Sequence, residues 1–463
     1  MGKSLLLFLL AVCFIACDQK DATTSSVSVW RTTGDRAKLL QPSSEPFASD
    51  VSNKTIISVD TTQRFQTMDG FGYALTGGSA YLIQQKMKEE DRMKLLSELF
   101  DPTNGIGISY LRISVGASDL DDPVFSYNDL SAREEDPELK KFSIAPDQEN
   151  LIPVLKAILK INPSIKIMAS PWSAPVWMKD NQRAKGGSLL KKFYPAYANY
   201  FVKYLQAMKA EGIDIHTLTI QNEPENPNNT PSMLMTAEEQ SLFIKENLGP
   251  ALQAAGLSTG IVLFDHNADH PQYPISILND SVTRNFVDGS AFHLYLGEVS
   301  ALGEVRKAHP DKNLYFTEQW TSGKGEFAGD LQWHTKNIIV GATREGCKVI
   351  LEWNLAADKN FNPHTDDGGC TLCQGAITVE STITRNVSYY IIAHASKFVP
   401  AGSVRVESSK SDPLHHVAFV TPQGKKVIVV MNDHTIAQEF TLQWGTKYVN
   451  TSLAAGEVAT YVW

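Results

Sequence analysis

The chain has 463 residues, 43% hydrophobic and 20% charged, a composition that describes an ordinary globular protein and excludes a fibrous or low-complexity role. Its length allows roughly three domains of about 150 residues, or one α/β barrel of about 250 residues or more beside a smaller unit. With 42 Lys and Arg against 51 Asp and Glu the formal charge is −9. There is no basic footprint for nucleic acid or an anionic membrane surface, and the partners are expected to be neutral or small.

Residues 1–16 carry Lys3, the apolar run Leu5 to Ile15, and Ala16 before Cys17, the pattern of a secretory leader. The run is too short to span a bilayer. Phe14-Ile15-Ala16-Cys17 resembles a bacterial lipobox, in which the chain is cut before the cysteine and Cys17 is lipidated; an ordinary signal peptide with a chance cysteine is the alternative. Cys13 would be discarded with the leader. Residues 17–53 are read as a tether and N-terminal extension, polar from Asp18 to Ser28, although SVSVWRT (26–32) alternates as a strand would. An exported, membrane-anchored lipoprotein of the bacterial cell envelope or surface is expected.

KTIISVD opens a strand within 54–66 that belongs with the C-terminal strands. Eight short apolar or β-branched runs then follow: FGYALT (71–76), IGISYLRISV (106–115), IKIMASPWS (165–173), IHTLTIQNE (215–223), GIVLFDHN (260–267), VDGSAFHLYL (287–296), LYFTEQW (314–320) and CKVILEWNL (347–355). Segments of helical spacing separate them, for example Leu151, Val154, Leu155, Ile158 and Leu159. Eight strands alternating with helices predict an α/β fold, a (β/α)8 TIM barrel over 67–398. Over 399–463, HHVAFVTP, KKVIVVMND, AQEFTLQW and VATYVW alternate apolar and polar residues between turn signals. They are expected to combine with the N-terminal strand into one small β-domain.

The active site of such a barrel lies at the C-terminal ends of its strands. Those ends contribute Arg112 to Ser114, Trp172, Gln221 to Pro224, Asp265 to Asn267, His293, Tyr295, Thr317 to Trp320, and Glu352 to Asn354. Trp172, Trp320 and Trp353 offer flat apolar faces beside hydrogen-bonding groups, which suits a sugar. Glu223 ends strand 4 and Glu318 ends strand 7, and two glutamates from separate barrel strands can converge as the carboxyl pair, about 5 Å apart, of a retaining glycosidase. Glu352 is a rival, but strand alternation turns it away if Trp353 faces the site. Asp265, His266, Asp269 and His270 (DHNADH) lack the helical i, i+4 histidine pair of a zinc protease and are read as a polar strand-5 loop. No metal and no cofactor is expected.

Cys347 opens a strand-like run and is read as a buried small hydrophobe. Cys370 and Cys373 form a CxxC in the loop GGCTLCQG. A local disulfide, half of a zinc site and a thiol-redox pair compete there. Zinc would need four ligands and only His364 lies near, while a redox pair normally opens a helix, so a loop-stapling disulfide is the preferred reading.

At GFGYALT, ASPWSAPVWMK, TIQNEP, HLYL, FTEQW, EWNLA and SKFVPAGSVRV, spread in order over about 65–463, the sequence resembles glycoside hydrolase family 30. The resemblance implies a β-sandwich built from both chain ends beside the barrel. It implies Glu223 as general acid/base, which must then start protonated, and Glu318 as nucleophile, with Arg112, His293 and Tyr295 grouped around the nucleophile to keep it ionised. Asn222 matches the asparagine that holds the sugar 2-hydroxyl. Asp119, Trp172 and Trp353 match groups that grip the outer hydroxyls and face of the −1 glucose. Trp320 replaces a small residue of the ceramide-cleaving branch, and the CxxC loop looks more like the branch of endo-β-1,6-glucanases. Double displacement on β-1,6-glucan is therefore expected, by a monomer, with glucosylceramide or short β-glucosides as alternative substrates and a non-catalytic glycan-binding lipoprotein as the competing class.

Overall fold

The computed structural model describes residues 26–463. The expected leader, with Cys13 and the lipidation site Cys17, lies outside the described residues. Eight parallel strands close into a barrel: β1 (Gly70–Ala74), β2 (Tyr110–Ser114), β3 (Lys166–Ser170), β4 (Thr217–Thr219), β5 (Gly260–Asn267), β6 (Val287–His293), β7 (Asn313–Glu318) and β8 (Cys347–Asn354). Each falls within one of the eight runs read from the sequence, save that β1 begins at Gly70 and β7 at Asn313, each one residue ahead of its run. Parallel pairing needs long return connections, and helices such as Leu151–Ile161 and Tyr194–Ala210 supply them, burying one stripe against the barrel. Among the described residues no helix is long and apolar enough to cross a membrane.

Strand alternation separates two environments. Tyr110, Met168, Val262, Ala291, Tyr315, Val349 and Leu351 pack together inside the barrel as its plug. The residues in between, such as Leu111, Ile167, Leu263, Phe292, Phe316 and Ile350, join the large core shared with the helices. A buried strand has no wet face, so these runs are apolar throughout.

The second unit is a nine-stranded sheet in the order 41–46, 26–32, 458–462, 426–432, 414–420, 404–408, 56–67, 438–444 and 447–453. It curls until its ends approach, with Ala48 bridged to Tyr448. Val27, Val29, Ile57, Ile428, Val430, Phe440 and Tyr461 fill its interior. Its other face, through Val417, Phe419, Val427 and Val429, joins the barrel's core. The reading of 17–53 as tether and extension is corrected here, because 26–32 and 41–46 are paired strands. Alternation buries Val27 and Val29, and Arg31 is held by Glu45 at 2.8 Å and Glu457 at 3.4 Å. The helix after β8, Val387–Ser396, fastens sheet to barrel: His394 Nδ1 lies 2.9 Å from Thr460 Oγ1 and its Nε2 2.8 Å from Thr32 Oγ1.

Candidate active site

Two residues above the plug, the alternation places Arg112, Ser170, Thr219, His293 and Thr317 on the inside of five strands. All five converge on one side chain, Asp265. Its Oδ2 accepts from Arg112 at 2.7 Å, Ser170 at 2.7 Å and Thr219 at 2.9 Å, and its Oδ1 from Thr317 at 2.7 Å, with His293 Nε2 at 3.2 Å. Asp265 sits at a register shift in β5 and takes a left-handed backbone, φ 62°. Burial alone would raise its carboxyl, but Arg112 and His293 hold it far below the usual range.

Arg112 connects this hub to the expected nucleophile. Its NH1 donates to Glu318 Oε2 at 2.6 Å and its NH2 to Asn222 Oδ1 at 2.6 Å, while the guanidinium lies 4.7 Å from the Trp172 ring and 5.7 Å from the Trp353 ring. Tyr295 Oη donates to Glu318 Oε1 at 2.9 Å. Strict alternation would send Glu318 outward, since Thr317 already points inward. A β-bulge between Phe316 and Glu318 re-aims it into the cavity, as bulges beside active sites do. Burial pushes the Glu318 carboxyl up, against His293 and Arg112, which favour its ionised form.

Glu223 stands opposite. Its backbone is left-handed, φ 47°, and its N–H donates to the Asp265 carbonyl at 2.9 Å, so two strained residues fix each other. Oε2 accepts from Asn226 at 2.7 Å and Asn229 at 3.3 Å. His293 Nδ1 lies 3.2 Å from Glu223 Oε1 and 3.9 Å from Glu318 Oε1. One ring nitrogen thus stands between the two carboxyls, in keeping with the short separation, about 5 Å, of a retaining pair.

The charges around Glu223 act against the protonated start expected of an acid. Burial alone would raise Glu223, yet His266 at 3.8 Å and His293 at 3.2 Å favour its ionised form and hold its carboxyl well below the ordinary range. Burial alone would lower His293, yet Glu318, Asp265 and Glu223 hold its imidazolium up, to about 9. Glu223 and His293 share a contact of 3.2 Å and titrate as a coupled pair.

A cavity of about 530 Å³ opens over the pair, and Asp119, Glu223, Tyr295, Glu318, Trp320, Trp353, Cys370 and Cys373 are among the residues that line it. Arg112, Trp172, Asn222 and His293 stand one layer behind. Trp172 stacks on Trp353 at 5.4 Å, and Asn222 accepts from Arg112 through Oδ1. Burial, then the charges of Glu318 and Glu223, push the Asp119 carboxyl up to about 8. Glu352 points away, 2.8 Å from His334.

Asp265 entered the sequence reading only among the strand-end residues and the DHNADH loop, with no role of its own, and Asn226 and Asn229 did not enter it. Asp265 had a signal, a polar triplet closing an apolar strand; the asparagines sit in an irregular loop and had none. The DHNADH group does not assemble: Asp265 is engaged as above and His270 pairs with Glu225 at 2.8 Å. His266 instead joins Glu223 and His293, whose ligand-type atoms lie within 4.8 Å of one another. Cys370 and Cys373 are joined in a disulfide, and Cys347 is a buried free thiol.

Comparison with known proteins gives consistent results. Residues 68–399 match the glycosyl hydrolase family 30 TIM-barrel domain and residues 402–461 the family's β-sandwich domain. An endo-1,6-β-D-glucanase of Aspergillus fumigatus is 32% identical over 423 residues, covering 85% of this chain and 84% of its own. The lysosomal acid glucosylceramidase of Mus musculus is 28% identical over 88% of this chain and 83% of its own. A solved endo-β1,6-glucanase superposes with TM-score 0.89 at 35% identity, covering 95% of this chain and 99% of that one.

Proposed function

The chain belongs to glycosyl hydrolase family 30 and is a glycosidase; from that premise we propose that it cleaves β-1,6-glucan by double displacement, with Glu318 as nucleophile and Glu223 as acid/base. The observation that carries the roles is the placement of His293 Nδ1, 3.2 Å from Glu223 and 3.9 Å from Glu318. Glu318, gripped by Arg112 and Tyr295, attacks the anomeric carbon. Glu223 delivers a proton to the leaving oxygen and draws it from His293 through their shared hydrogen bond. Water then attacks the glycosyl-enzyme, Glu223 takes its proton, and the anomeric configuration is retained.

The preference for a glucan rests on the cavity wall. Trp320, Cys370 and Cys373 line the cavity, and the endo-1,6-β-glucanases are the relatives of higher identity over most of the chain. Side-by-side product profiling on pustulan, laminarin, cellobiose and glucosylceramide tests it: pustulan should be the best substrate and the first-formed product anomer β by proton NMR. A faster rate on glucosylceramide would overturn the substrate, and an inverted anomer the mechanism.

The leader pattern supports an exported lipoprotein anchored through Cys17. Radiolabelled palmitate incorporated by the wild type and lost in Cys17→Ser would agree with that; equal labelling would refute it.

A further inference from the structure

The CxxC loop has no part in the chemistry above, yet both of its sulfurs line the catalytic cavity beside Asp119, Trp320 and Trp353. Cys373 packs in one buried group with Trp172 and Trp353, and Cys370 and Trp320 cover it. The loop is stitched to the site at two places. On one side Thr365 N–H donates to the Asp119 carbonyl at 2.9 Å, and Cys370 N–H donates to Asp119 Oδ2 at 3.2 Å. On the other, Ser322 pairs with Cys373 and Thr321 with Gln374, and Gly323 N–H donates to the Leu372 carbonyl at 2.9 Å. That second stitch holds the segment directly after Trp320, which itself follows the nucleophile by two residues.

The disulfide joins these two anchor points. Between them Asp366, Asp367 and Thr371 are exposed, and Gly368, at φ 88°, lies against the Asn228 carbonyl where a Cβ would come within 2.3 Å. A ring closed over a sequence separation of 3 removes little chain entropy from the unfolded state. What the bond supplies is therefore local: it fixes where the Cys370 N–H points.

We propose that the Cys370–Cys373 disulfide is a positioning element for substrate binding, which holds the Cys370 N–H on Asp119 and sets the wall formed with Trp320 against which the glucosyl unit is seated. This rests on the glycosidase reading of the cavity. On that reading Asp119, which lines the cavity, is the group that meets the sugar's outer hydroxyls, and the disulfide acts through it and not on the bond being broken. Its loss should weaken ground-state binding more than turnover.

The test is a double-mutant cycle on pustulan with wild type, Cys370→Ser/Cys373→Ser, Asp119→Ala and the triple variant. The serine pair should raise KM about tenfold, the worth of one hydrogen bond in a dry site, with kcat changed less than about threefold. In the Asp119→Ala background the same change should cost nothing further in kcat/KM. An unchanged KM, or losses that multiply, would overturn the proposal. If the serine pair does not fold, the wild type is reduced with dithiothreitol until two more thiols titrate than before reduction, and the same rise in KM, reversed on reoxidation, is expected. Wild-type inactivity on every β-glucoside would undo the glycosidase reading itself; an active wild type with a KM indifferent to the disulfide undoes only this inference.

Discussion

Arg112 and Asp265 form an ion pair sealed from solvent, NH2 to Oδ2 at 2.7 Å with both side chains at 0% exposure. Removing one partner of a buried pair is costly because the other is left uncompensated. Asp265→Asn keeps the shape, strips the charge and turns an amide N–H₂ toward groups that all donate. It should lose about 3 kcal/mol of stability in urea unfolding. Glu318, then the sole carboxylate on Arg112, should be a poorer nucleophile and kcat should fall. A variant as stable as wild type would contradict the role of Asp265 as hub.

Azide separates the two carboxylates. Glu223→Gln should lower kcat on pustulan by about 10³-fold, within the range general acid–base groups supply. On an activated aryl glucoside it should be rescued by azide as β-glucosyl azide. Glu318→Ala should be nearly inactive and, if rescued, should yield the α-azide. The opposite anomers would exchange the assignments.

The pH profile should have its limiting descent on the alkaline side. Asp119 carries its proton up to about 8 and His293 up to about 9. Raising the pH through those values adds an anion beside Glu318 and Glu223 and removes the proton that Glu223 must deliver. kcat/KM should fall across this window, and Asp119→Asn should remove the earlier part of the descent while lowering the plateau. The sign for stability agrees: the folded value of His293 lies above its unfolded value near 6.5, so its contribution is complete below about 6.5 and is lost as the pH climbs through about 9. A profile flat from pH 7 to 10 would contradict these assignments.

Glu352 supplies the control. It is buried against His334 on the helix side of β8, and Trp353 takes the cavity side. Glu352→Gln should leave kcat within about twofold and cost about 1–3 kcal/mol, the price of a disturbed buried hydrogen bond. A collapse of activity in a folded Glu352→Gln protein would put the wrong carboxylate at the centre.

The barrel and its two glutamates were legible because each is a local signal repeated eight times: an apolar run closed by polar residues, separated from the next by helical spacing. The rule that sent Glu352 away from Trp353 is also local, and it held. The same rule would have turned Glu318 outward, and it failed because the bulge after Phe316 depends on how β6 and β7 align, which neither strand encodes alone. Asp265 is a hub only once five other strands surround it. The position of the acid's proton depends on three carboxylates meeting one imidazole, a sum over residues far apart in sequence. Strand 26–32 was undervalued for a related reason: its partner in the sheet is 458–462.

That pairing has a consequence for the order of assembly. The strand at 26–32 has a neighbour at 41–46 early in synthesis, but its other edge stays open, and His394 has only half its grip, until residues 458–462 emerge. The strand 458–462 closes the sheet between 26–32 and 426–432, a contact between distant parts of the sequence and so of the slow-forming kind.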